Sequence, residues 1–198
     1  CSLASVFVLP IWLCLCGCRT AAPDTAAPWR EHRAAANYRA AKVTYVGIAV
    51  TDFAWYRESL TAWGWSRDLI GKSLQSWLGV PPAQQIMLTN PRLDELQDLF
   101  RQQLAAVPQD HLVVIYLGTH QLKGQRVLLG HKEEIAAKDL LALLGRVKQR
   151  CLLLADVCYA AAFEQYSMPQ NCLRIYAGND TETAPEIRSR RRASILGA

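Results

Sequence analysis

A three-layer α/β architecture, with a mostly parallel sheet flanked by helices on both faces, is what the sequence predicts, and three observations lead there. Apolar runs of strand length at residues 42–50, 111–117 and 151–157 alternate with helically spaced apolar residues at 67–78 and 138–147. The right-handed crossover rule turns such alternation into parallel strands with helices above and below. With 198 residues, 51% of them apolar, the chain can bury one substantial core, so one folded domain is expected.

The elements follow in order. Residues 42–50 are β-branched and apolar and read as a buried strand. Residues 51–65 are rich in aromatics and take no clear form. Leu69, Ile70, Leu74 and Leu78 have helical spacing, and Gly79-Val80-Pro81-Pro82 ends that helix. Residues 85–88 are a short strand. Thr89-Asn90-Pro91 is expected to cap a helix carrying Leu93, Leu96, Leu99, Phe100 and Leu104 on one face. After the strand at 111–117, residues 127–129 read as a hairpin arm, and Leu140, Leu141, Leu143 and Leu144 mark the next helix. The strand at 151–157, a short helix at 159–166 and a last strand at 173–177 complete the domain, with no internal repeat.

The N-terminus has a different composition. Residues 2–15 are almost wholly apolar and are followed by Leu15-Cys16-Gly17-Cys18. A permanent span needs about 20 apolar residues, so this stretch reads as the apolar region of a secretory signal. The Leu15–Cys18 step resembles a bacterial lipobox, in which cleavage precedes a cysteine that receives lipid on its thiol. The expected layout is a signal peptide at 1–17, a lipid-anchored tether at 18–41 beginning at Cys18, the folded domain at 42–182 and a basic tail at 183–198. The protein is then an exported lipoprotein held at a bacterial membrane on its periplasmic or cell-surface side. The tail's Arg188-Ser189-Arg190-Arg191-Arg192 supplies part of the net charge of +5 and reads as a solvated cluster, so no nucleic-acid partner is expected.

Of seven cysteines, Cys1, Cys14, Cys16 and Cys18 belong to the targeting segment, leaving Cys151, Cys158 and Cys172 for the domain. The odd count leaves at least one thiol unpaired or paired between molecules. A Cys151–Cys172 disulfide would leave Cys158 free, but other pairings stay open. No His/Cys cluster has metal-ligand spacing, so no metal is expected. Gly71-Lys72-Ser73 resembles the end of a phosphate-binding loop without its upstream glycine or preceding strand, and reads as helix.

Two strands deliver a reactive side chain at their C-terminal ends, where parallel sheets present their chemistry. One runs into Gly118-Thr119-His120-Gln121, the other into Asp156-Val157-Cys158. A thiol becomes a good nucleophile when a base lies within hydrogen-bond reach. Taken alone, such a cysteine reads as a small packed hydrophobe and such a histidine as a hydrogen-bonded loop residue; as a pair in this order they point to a thiol protease dyad. His32, His111 and His131 take the bland reading. The six tryptophans read as core or rim, with Trp55, Trp63, Trp65 and Trp77 able to line a groove.

The order of elements and both motifs resemble the caspase-like fold shared by caspases, metacaspases, legumain and gingipains. Asp110-His111-Leu112-Val113-Val114-Ile115-Tyr116-Leu117-Gly118-Thr119-His120 is similar to the strand that ends in the family's catalytic histidine. Leu152-Leu153-Leu154-Ala155-Asp156-Val157-Cys158 is similar to the strand that ends in its catalytic cysteine. The resemblance spans residues 42–180. It implies that Cys158 attacks a peptide carbonyl, that His120 protonates the leaving amine, and that the backbone amides of Gln121 and Cys158 stabilise the oxyanion. Asp156 resembles the aspartate that metacaspases place in the primary specificity pocket, which implies cleavage after Arg or Lys; Asp52 and Asp68 are further pocket candidates. The partner is a polypeptide substrate, and the chemistry needs no cofactor. This chain departs from the family where Gln121 replaces the usual Gly after the histidine, and where Ala160-Ala161 stands for a Ser-Gly step. Those departures motivate the alternative of a catalytically inactive binding module at a membrane surface. An unrelated α/β nucleotide-binding or signalling domain ranks last, because no Gly-rich loop follows the first strand.

Overall fold

The computed structural model describes residues 42–52, 62–122, 125–158, 163 and 165–177. The expected signal peptide, the tether with Cys18, the basic tail and most of the expected helix at 159–166 lie outside the described residues.

Five strands form one parallel sheet: β1 (Val43–Ala49), β2 (Gln85–Thr89), β3 (Leu112–Thr119), β7 (Arg150–Val157) and β8 (Cys172–Tyr176), in the order β2-β1-β3-β7-β8. The chain winds outward from β1 to β2 and then crosses to β3 on the other side. The winding therefore reverses between β1 and β3, where open α/β sheets leave a crevice at their C-terminal edge. Three short strands, β4 (Gln121–Leu122), β5 (Arg126–Leu128) and β6 (Glu134–Ala136), form a separate antiparallel sheet. The apolar pattern exposes only one arm of it, at 127–129, because two- and three-residue strands are too short to show a period.

The two faces of the parallel sheet bury different cores. On one side β1, β3 and β7 contribute Val46, Ile48, Val113, Ile115, Leu117, Leu153 and Val157. These pack against α2 (Leu93–Asp98), the π and 3₁₀ turns continuing it to Ala106, and α3 (Ala137–Leu144). On the other side Tyr45, Val114 and Tyr116 meet α1 (Ala62–Leu78) through Trp63, Ile70 and Leu74. Sheet strands buried on both faces explain the continuous apolar runs of β3 and β7, and helices on both faces complete the three expected layers.

Two helices differ from their sequence reading. The helix expected at 67–78 begins at Ala62, and its inward stripe runs Trp63, Ser66, Ile70, Leu74, leaving Leu69 and Leu78 exposed. Close approaches set this rotation, since a Cβ at Gly71 would lie 3.1 Å from the Tyr45 ring and one at Gly118 would lie 2.7 Å from Trp63. Gly79, at φ 73°, then turns the chain away, its N–H bonding the Gln75 carbonyl. The Thr89-Asn90-Pro91 segment does not cap α2. That helix starts at Leu93, with Glu95 accepting the Arg92 N–H at 2.8 Å and Glu133 the Leu93 N–H at 2.5 Å. Asn90 instead takes φ 51° and accepts the N–H groups of Thr51 at 2.7 Å and Asp52 at 3.1 Å, tying the end of β2 to the loop after β1.

Gly130 packs directly onto this junction: its N–H bonds the Pro91 carbonyl, and an added Cβ would overlap the Asn90 carbonyl. A backbone neighbour cannot swing aside as a flexible side chain does. Gly130→Ala is expected to destabilise the fold by about 1–3 kcal/mol, read as a lower denaturation midpoint at unchanged m value.

Candidate active site

The parallel register of β3 with β7 sets Leu117 beside Ala155, Gly118 beside Asp156 and Thr119 beside Val157. The next residue on each strand leaves the sheet, and these are His120 and Cys158. Even-numbered residues of both strands face α1, so the two side chains emerge on the same side. The Cys158 Sγ lies 3.6 Å from the His120 Nδ1, within hydrogen-bond reach for sulfur.

His120 is fixed from three directions. The antiparallel sheet clamps its backbone, with the Leu128 N–H donating to the His120 carbonyl at 2.9 Å and the Thr119 hydroxyl to the Leu128 carbonyl at 2.7 Å. Trp63 meets the imidazole edge to face, ring centroids 4.8 Å apart and planes at 86°. Cys158 supplies the contact on Nδ1. Burial among these groups holds the imidazole pKa below its ordinary value, so the ring is neutral at pH 7. In the tautomer whose proton sits on Nε2, Nδ1 carries the lone pair that can take the thiol proton.

Gln121 begins β4 opposite Val127, and its side chain is packed away from solvent. Because the Leu128 N–H bonds the His120 carbonyl, antiparallel alternation turns the Gln121 N–H away from β5. Cys158 itself is 4% exposed. Asp156 lies two residues before Cys158 on the same α1 face, 1% exposed, its Oδ2 accepting the Tyr116 hydroxyl at 2.8 Å. The structure thus buries this carboxylate against the Tyr116 hydroxyl, rather than setting it on an open wall.

The two other pocket candidates lie further along the same sheet edge. Asp68 pairs with Arg67 at 2.8 Å and lines a cavity of about 460 Å³ with Thr51, Trp65, Lys72 and Thr89. Asp52 is exposed and held through its N–H by Asn90. Tyr116 and Thr119 are site residues to which the sequence reading gave no role, and Trp63, read there as able to line a groove, packs on His120. Trp63 stands nearly sixty residues from His120, and only the fold joins them.

Of the remaining readings, Gly71-Lys72-Ser73 lies inside α1, as expected. His111 shares a hydrogen bond with Thr44 at 3.0 Å at the opposite sheet edge, and His131 sits in a 3₁₀ turn of the hairpin region. Among the described residues, no three His, Cys, Asp or Glu side chains gather as a metal site, and no helix is long and apolar enough to cross a membrane.

Two measurements check this description. Tyr116→Phe removes a donor from a buried carboxylate and is expected to cost about 1–3 kcal/mol of unfolding free energy. For His120, the folded pKa is depressed, so the unfolded chain binds the proton more readily. Stability is therefore expected to hold above pH 6.5 and to fall as the pH drops below it, and the His120 imidazole resonances should titrate with a midpoint below 6.5.

No protein-family model matches the sequence, and no curated protein matches it. The crystal structure of caspase-1 from Spodoptera frugiperda is similar, with a TM-score of 0.52 at 14% identity, covering 77% of this chain and 64% of that one. The chain therefore spans less than two thirds of that relative's length, and the likeness speaks to architecture alone. By strand order, layering and this likeness, the protein has a caspase-like α/β fold.

Proposed function

We propose that the protein is a caspase-like cysteine endopeptidase in which His120 and Cys158 act as a dyad on a polypeptide substrate. The observation that carries this reading is the 3.6 Å approach of the Cys158 Sγ to the Nδ1 of a buried, neutral imidazole at the ends of two adjacent parallel strands. Cys158 attacks the scissile carbonyl as its proton passes to His120. The tetrahedral oxyanion draws on the amides of Gln121 and Cys158, a contribution of about 2.7–4 kcal/mol per donor in other proteases. His120 then returns the proton to the departing amine, and water hydrolyses the thioester.

Cleavage after Arg or Lys is the specificity proposed, with Asp156 as the acceptor. The Tyr116 hydroxyl occupies that buried carboxylate, so an entering guanidinium has to share or replace this hydrogen bond. The cavity by Thr51, Trp65 and Asp68 has room for a further side chain of an extended peptide. Lipid attachment at Cys18 would hold this site at a membrane surface outside the cytoplasm. The rival reading, an inactive binding module, draws on the sealing of Asp156 together with Gln121 and Ala160-Ala161.

Hydrolysis of fluorogenic peptides ending in Arg, Lys, Asn or Asp by the full chain separates these readings. Cleavage after Arg and Lys is expected, abolished in Cys158→Ala and reduced about 10²–10⁴-fold in His120→Ala. Asp156→Ala, where it keeps a cooperative unfolding transition, should raise KM for the basic peptides. Activity confined to Asn or Asp peptides would retain the dyad and discard the Asp156 role. A folded sample inert on all four would favour the binding module.

A further inference from the structure

Strands β7 and β8 run parallel in a register that sets Cys151 beside Cys172, locked by the Cys151 N–H on the Asn171 carbonyl at 2.8 Å. Neighbouring strands lie about 4.8 Å apart, inside the 4.4–6.8 Å Cα separation that a disulfide spans. Both side chains point to the face covered by α2 and α3, where they share one apolar cluster with Val147 and Leu153. Both thiols are free, and they are 3% and 8% exposed respectively.

We infer that Cys151 and Cys172 form a redox-responsive cross-strand pair that closes to an intramolecular disulfide while Cys158 stays reduced. A hydrogen bond between the two side chains, joined by burial, pushes the Cys151 thiol up, while the same hydrogen bond draws the Cys172 thiol down against its own burial, so Cys172 is the first to ionise. The Cys172 thiolate attacks a low-molecular-weight disulfide and expels one thiolate. Cys151 then loses its proton and attacks the Cys172 sulfur of the mixed disulfide, expelling the second. Two protein thiols are oxidised by two electrons, and the external disulfide is reduced to two thiols. Cys172 opens β8, the edge strand of the sheet among the described residues, and is the more exposed of the two thiols.

The sheet keeps Cys158 out of this exchange. Seven residues along β7 separate it from Cys151, about 23 Å of extended chain, and the odd step puts it on the α1 face beside His120. Closure thus withdraws both thiols of the helix-covered core and leaves Cys158 the one thiol among the described residues. The inference stands whether or not Cys158 is catalytic.

The test incubates the full chain with oxidised glutathione, alkylates remaining thiols under denaturing conditions, and cleaves after Arg150, Glu164 and Arg174 and before Asp156. The three cysteines then fall on separate peptides, 151–155, 156–164 and 165–174. A linked 151–155/165–174 pair that mild dithiol reduction removes without denaturant is the expected result. Alkylation of both Cys151 and Cys172, or a bond from either to Cys158, would overturn the inference. Oxidation is also expected to raise the Tm of the wild-type chain by about 5 °C, and that shift should vanish in Cys172→Ser. An equal redox-dependent shift in the variant would count against the pair.

Discussion

The register between β3 and β7 is the constraint on which the rest of this site depends. Side chains on a strand alternate between faces, so a slip of one residue would send Cys158 to the α2 and α3 side while His120 stayed on the α1 side. Burial enforces the register. From Val113 to Thr119 every β3 residue is buried, and neighbouring strands hydrogen-bond it on both sides along its length. Shifting β7 by one position would exchange Leu153, Ala155 and Val157 for Leu152, Leu154 and Asp156 in the larger core, and the burial of that carboxylate there is what the fold resists.

The two faces of the sheet divide the work. The α2/α3 side is a large, mainly aliphatic core, joined by Phe100, Phe163, Cys151 and Cys172, and it contains neither His120 nor Cys158. On the α1 side the core is smaller and holds polar groups: the Tyr116–Asp156 hydrogen bond, the Tyr45 hydroxyl on the Arg67 carbonyl, and the imidazole of His120 against Trp63. Glycines make this face possible. Gly47 admits the Arg67 stem and Gly118 admits Trp63, each where a methyl group would collide. The close packing brings the first turn of α1 to the dyad, and it raises the cost of charging His120.

The antiparallel sheet ties the loops together. Glu133 serves the N-terminus of α2, Gly130 seats on Asn90, Asn90 holds the loop after β1, and Leu128 clamps Thr119 and His120. Three loops at the C-terminal edge of the sheet thus share one set of main-chain contacts, which fixes the candidate nucleophile and base on the ends of rigid strands.

Much of this was legible in the chain itself. Buried parallel strands need unbroken apolar runs, so 42–50, 111–117 and 151–157 announced themselves, and the reactive residues directly after them marked His120 and Cys158 as a pair. Local chemistry also stopped α1 at Gly79 and set the inward face of α3. Hidden from it were the rotation of α1, the strands β4 and β6 and the Tyr116 hydroxyl on Asp156, while Trp63 as a groove wall and Cys151 beside Cys172 stood in it only as open possibilities. Each of these depends on which residues distant in the chain become neighbours. Periodicity reports which face of an element is apolar; strand order, register and the space left by Gly47, Gly71 and Gly118 are settled only when the elements pack together.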